Sequence, residues 1–148
     1  MAQCYQDAMA VACYLGKIDY FIMMTTNPKW HEIQENLLPG QSATDCPDLV
    51  SRVFHAKQQQ LLDDITKNGI FGWCVAHVYT IEFQKWGLPH MHLLVILDEH
   101  SRCRTLQDVD NIISAEFPDR AQDLVLYELV LRPMAHGPCD ARCLDKNK

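Results

Sequence analysis

Several absences narrow what this chain of 148 residues can be. No apolar run approaches the roughly 20 residues that a membrane-spanning helix requires. The run Leu93 to Leu97, extended by Met91, falls far short, so no membrane partner is expected. No signal-peptide pattern follows Met1. A disulfide framework is missing as well: the seven cysteines are odd in number and irregularly spaced, which excludes a stapled secreted scaffold and points to a reducing compartment. Positive charge is scarce, with 13 Lys and Arg against 19 Asp and Glu and a formal charge of −6. That balance is unfavourable for nucleic acid, because phosphate contacts come from Lys and Arg. There is no internal repeat, low-complexity segment or domain linker. What remains is a 48% hydrophobic chain, expected to form one domain over 1–148 with a substantial core.

Within that chain the run Pro89-His90-Met91-His92-Leu93-Leu94-Val95-Ile96-Leu97 carries the most chemical information. Residues i and i+2 of a strand project to one side, so His90 and His92 can converge on one ion while Met91 faces a core. Neutral imidazole is the commonest metal ligand. Trp73 to Gln84 read as the partner strand of a hairpin, with Trp73, Val75, His77, Tyr79, Ile81 and Phe83 on a mostly large apolar face. Cys74, Ala76, Val78, Thr80, Glu82 and Gln84 are on the other. The odd residues Met91, Leu93, Val95 and Leu97 continue the apolar face. A three- or five-residue loop centred on Gly87 would set Gln84 opposite His90 and Glu82 opposite His92, all on one face. A loop one residue longer or shorter would pair Phe83 with His90 instead. Glu82 is the preferred third ligand, since a carboxylate suits Mg²⁺ or Mn²⁺, and Gln84 is the alternative.

The remaining pattern predicts a helix over Gln3 to Leu15, a strand over Ile18 to Thr25 stopped by Asn27-Pro28, and a short helix over Trp30 to Leu37. A long helix follows from about Pro47 to Lys67, with Asp45 or Cys46 near its cap, Asn68-Gly69 as its terminator and Leu49, Val50, Val53, Phe54, Leu61, Leu62 and Ile65 as its stripe. Thr105 and Asp108 read as the start of a capped helix reaching about Glu116, and a last helix covers about Ala121 to Leu131. The order predicts an α+β fold, a central antiparallel β-sheet with flanking helices on its apolar face.

Four ordered blocks nearly span the chain: Tyr20 to Trp30, Cys46 to Phe54, Ile81 to His92, and His136-Gly137-Pro138-Cys139. Together they closely resemble the replication-initiator (Rep) nuclease region of Helitron transposases. The resemblance implies an HUH endonuclease of the rolling-circle type, with Met91 as the hydrophobic residue between the histidines and the histidine strand near the centre of the sheet. It implies a divalent ion, Mg²⁺ or Mn²⁺, held by His90, His92 and a third ligand. That ion polarises a phosphate of single-stranded DNA while a tyrosine attacks it, leaving a 5′-phosphotyrosine and a free 3′-hydroxyl. It further implies a helicase domain in the same polypeptide and an intracellular protein, nuclear in a eukaryotic host. Thr25, Asn27 and Lys85 are the candidate DNA contacts.

The family's paired tyrosines lie on a helix well beyond the His-Gly-Pro-Cys block, and none of Tyr5, Tyr14, Tyr20, Tyr79 or Tyr127 matches that motif. Tyr127 sits in an apolar helix and reads as core. The expectation is therefore a truncated Rep domain that lacks the tyrosine motif and helicase and is inactive alone. An inert or domesticated module that binds DNA or a protein partner is the alternative. Two positions depart from the family pattern: Met23 stands where Thr is usual, and Trp86 where Arg is common. His136, Cys139 and Cys143 have spacing compatible with zinc but lack a fourth ligand. His31, His55, His77 and His100, like Cys4, Cys13, Cys46, Cys74 and Cys103, have no spacing partner.

Overall fold

The computed structural model describes Ala10, Tyr14 and residues 17–84, 87–114 and 116–131. Of the predicted first helix only Ala10 and Tyr14 are described, both helical. Lys85, Trp86 and the candidate zinc ligands His136, Cys139 and Cys143 lie outside the described residues. The chain divides into two compact units, Met1–Cys103 and Arg104–Lys148.

The first unit is α+β. Its elements are β1 (Tyr20–Thr25), α1 (His31–Gln34), a 3₁₀ turn (Ala43–Asp45), α2 (Pro47–Thr66), β2 (Cys74–Phe83) and β3 (Pro89–Leu97). The strands form one antiparallel sheet in the order β1-β3-β2, which puts the histidine strand in the middle. Both ends of α2 follow from local chemistry. Pro47 occupies the first turn, where its missing N–H is no loss. Past the last turn, Gly69 takes a positive φ of 62°, which a glycine adopts without penalty.

The core follows side-chain parity. Met91, Leu93, Val95 and Leu97 of β3 are buried against Phe54, Leu62 and Ile65 of α2, with Tyr20, Ile22 and Met24 of β1 packed alongside. Each such side chain contributes about 1.5–3 kcal/mol relative to exposure. A smaller cluster of Ile33, Ala43 and Val50 joins α1 and the 3₁₀ turn to the start of α2. Gln58, on the buried side of α2, is almost fully enclosed, and its side-chain carbonyl has no hydrogen-bond partner.

Three expectations need correction. The hairpin closes two residues earlier than expected: Gln84 N–H donates to Leu88 O at 3.0 Å and Gly87 N–H to Gln84 O at 2.7 Å. Glu82 therefore pairs with His90 and Thr80 with His92, and Gln84 lies beyond both histidines. A shift of two preserves parity, so the face assignment survives. Next, a β-bulge at Val75 lets Cys74 pair with Leu97 and join the core, although sequence parity had placed it on the polar face. Finally, the odd residues of β2 beyond the bulge are on the same side as the core but are not covered. Tyr79, Ile81 and Phe83 are exposed because the stripe of α2 is filled by β3, β1 and the start of β2.

The second unit holds α3 (Leu106–Ile112) and α4 (Leu124–Leu131). The expected capping box is present on α3: Asp108 N–H donates to Thr105 Oγ1 at 3.2 Å, and Thr105 N–H to Asp108 Oδ2 at 2.9 Å. In α4, Tyr127 is half-buried, with the Arg120 guanidinium 6.0 Å from its ring centre. No helix among the described residues is long and apolar enough to cross a membrane.

Candidate metal and strand-binding face

The face of the sheet opposite α2 takes alternate residues from each strand. From β3 come His90 and His92, from β2 Thr80 and Glu82, and from β1 Phe21, Met23 and Thr25. The central strand thus has a mainly polar flank on β2 and a mainly apolar one on β1.

The two imidazoles meet edge to face, with ring centres 4.6 Å apart and planes at 72°. His90 is 8% exposed, and its Nδ1 lies 2.7 Å from the Thr25 hydroxyl. With Nδ1–H donating to that hydroxyl, the lone pair of Nε2 is free to bind an ion. This is the usual way in which a second partner fixes the orientation and tautomer of a ligating histidine. His92 is more open. Its Nε2 is 3.5 Å from Glu82 Oε2, and its ring runs parallel to Phe21 within 11° at 5.7 Å between centres.

Whether these residues suit a divalent ion is decided by donor chemistry and spacing. Two donors about 2.1 Å from one ion, at 90–109° to each other, are about 3.0–3.4 Å apart. The 3.5 Å gap between His92 Nε2 and Glu82 Oε2 is close to that bite. Two neutral imidazoles and a carboxylate form a donor set that Mn²⁺ or Mg²⁺ accepts. Among the described residues, however, no three His, Cys, Asp or Glu side chains are already gathered tightly enough to hold an ion. The fit is therefore a two-donor bite with His90 adjacent.

The other candidates have local roles. Thr26, next to Thr25, is buried, and its hydroxyl donates to the Pro89 carbonyl, tying β1 to the start of the histidine strand. Asn27 Oδ1 accepts from Lys29 N–H at 2.9 Å, closing the turn after β1. Gln84 is held at the hairpin closure by its backbone. Phe21 is the feature that sequence reasoning missed. Its parity with Met23 and Thr25 was available, but an apolar residue within Tyr20-Phe21-Ile22-Met23-Met24 reads as core on either face.

In comparison with known families, residues 1–95 match the family model described as the Helitron helicase-like domain at the N-terminus. The search of curated proteins found no match.

Proposed function

The chain belongs to the Helitron helicase-like N-terminal domain family, and from that premise we propose that its first unit is the metal-binding part of a Helitron-type transposase that nicks single-stranded DNA. The observation that carries the reading is the central strand presenting His90 and His92 on one face, with the Glu82 carboxylate 3.5 Å from His92 Nε2. His90, His92 and Glu82 would hold a divalent ion such as Mn²⁺ or Mg²⁺. Bound there, the ion acts as a Lewis acid on a phosphodiester and orients it for in-line attack. Thr25 holds the His90 ring in place, and the buried Thr26–Pro89 link keeps β1 and β3 aligned at the site. In Helitron-type proteins the attacking tyrosines lie on a separate helix, and none of the tyrosines among these 148 residues matches that motif.

The test is a Mn²⁺ titration followed by calorimetry and electron paramagnetic resonance. One site is expected, lost in the His90→Ala, His92→Ala double variant. Glu82→Ala should weaken binding more than Gln84→Ala, because Gln84 pairs beyond the histidines. Unchanged binding in the double variant would remove the metal reading. A non-catalytic module is favoured by the formal charge of −6, and it becomes the preferred reading if wild type binds no Mn²⁺. For nicking, a fusion supplying a tyrosine helix should give a shortened strand and a covalent adduct, and the 148-residue chain alone should give neither.

A further inference from the structure

β1 has two different faces. Tyr20, Ile22 and Met24 pack into the core, whereas Phe21 and Met23, on the histidine face, are 58% and 61% exposed. Phe21 pairs with Leu94 and Met23 with His92, so this apolar strip borders the imidazole pair directly. The Phe21 ring is parallel to that of His92, and its exposure leaves ring surface for a further planar group. The two flanks of the histidines are unequal. β2 contributes Thr80 and Glu82, the latter taken up in the proposed ion site, whereas β1 contributes the apolar Phe21 and Met23 beside Thr25.

We propose that Phe21 is a stacking surface for a nucleobase of single-stranded DNA, with Met23 widening the platform, so that the adjoining phosphodiester lies over His90 and His92. The inference rests on the reading of this face as a DNA-nicking site and names the group that takes up the strand there. Stacking is tolerant of sequence because every base has a π-face. It also supplies affinity that does not depend on net charge, which an acidic protein of formal charge −6 needs. A planar base over an aromatic ring is favoured over an aliphatic partner because the ring is already aligned with a second flat group, the His92 imidazole.

The experiment measures fluorescence anisotropy of a labelled oligothymidylate against the full chain with Mn²⁺ present, for wild type and for Phe21→Ala, Phe21→Leu and Phe21→Trp. Loss of one stacked base corresponds to about 5- to 150-fold in affinity, so Ala and Leu should weaken binding by that range. Trp should bind as wild type or better, with its fluorescence quenched by the strand. An abasic oligonucleotide should bind wild type and Phe21→Ala equally. Retained Mn²⁺ binding in Phe21→Ala is the expected control for folding. Equal strand affinity of wild type and Phe21→Ala overturns the proposal, as does a Phe21→Leu variant that binds like wild type, or a wild type that binds no strand. A Phe21→Ala variant that converts a dimer to a monomer in sedimentation without changing strand affinity also overturns it and assigns the strip to a second copy of the chain. Failure of the metal reading would appear separately, in the Mn²⁺ titration of wild type.

Discussion

Replacing Thr25 by Val tests whether the histidine site is positioned by the strand beside it. The side chains are nearly equal in size, so the change removes the 2.7 Å contact to His90 Nδ1 without opening a cavity. His90 is 8% exposed, but Thr25 itself is exposed, so water reaches the vacated position from the β1 side. A fully enclosed unpaired nitrogen would cost about 1–3 kcal/mol. Access of water places the expected loss at the lower end, about 1 kcal/mol. With a urea m-value of about 2 kcal/mol/M, the unfolding midpoint should fall by about 0.5 M. Mn²⁺ affinity should fall further, by about 10- to 100-fold, as when a ligating histidine loses its second partner.

Thr26→Val is the matched comparison. Its hydroxyl is lost from the Pro89 carbonyl, but that carbonyl keeps the Thr26 N–H at 3.3 Å. A stability loss of about 0.5–1.5 kcal/mol with unchanged Mn²⁺ affinity is expected. Calorimetric titration and urea denaturation separate the two effects. Mn²⁺ affinity within twofold of wild type in Thr25→Val, alongside its loss in His90→Ala, would refute the claim that Thr25 orients the ring.

Other perturbations probe the scaffold. Gly72→Ala should destabilise the protein by about 2 kcal/mol or more in urea melts, because its φ is +105° and an added Cβ would lie 2.5 Å from Ser101 Cβ. Burial, then the contact with Cys103 Sγ, pushes the Tyr20 phenol up to about 12. The folded state therefore favours the protonated form, so this contribution is complete below pH about 10 and lost as pH rises toward 12. Tyr20→Phe should flatten that alkaline limb in pH-dependent denaturation. The backbone N–H groups of Arg104 and Thr105 hold the Asp108 carboxyl below its usual range. Its capping contribution is present above pH about 4 and fades as pH falls through the lowered value. Amide chemical shifts of α3 should report fraying in acid, and Asp108→Asn should show that fraying already at neutral pH.

The sequence showed the elements whose signals are local or repeated. Alternation along Met91, Leu93, Val95 and Leu97 marked the core face of β3, the stripe from Leu49 to Ile65 marked α2, and Thr105 with Asp108 marked the capped helix. The grouping of His90, His92 and Glu82 on one face was also legible, since it needs only parity. Which residues oppose each other was not, because that depends on where the turn closes, and no strand pattern distinguishes closure at Gln84 and Leu88 from closure two residues later. The exposure of Tyr79, Ile81 and Phe83 was hidden for a related reason. An apolar face predicts burial only when a covering element reaches it, and the reach of α2 over the sheet is a property of the packed unit. The role of Thr25 was obscured because a strand-end threonine looks the same whether it faces solvent or an imidazole.

The unopposed Val75 in β2 gives the hairpin a tolerance that its two ends do not share. Pairing is counted from the Gln84 closure, so residues 76–83 keep their phase with β3 while the mismatch is taken up at the bulge. Loss of Val75 would leave Glu82 beside the histidines and change only what lies upstream. Loss of Phe83, which lies between Glu82 and the Gln84 closure, would move the mismatch into the site and turn the carboxylate position to the opposite face. Length variation in this strand is therefore expected to be permitted near residue 75 and excluded at 83 and 84, a difference that single-residue deletions scored by Mn²⁺ binding would expose.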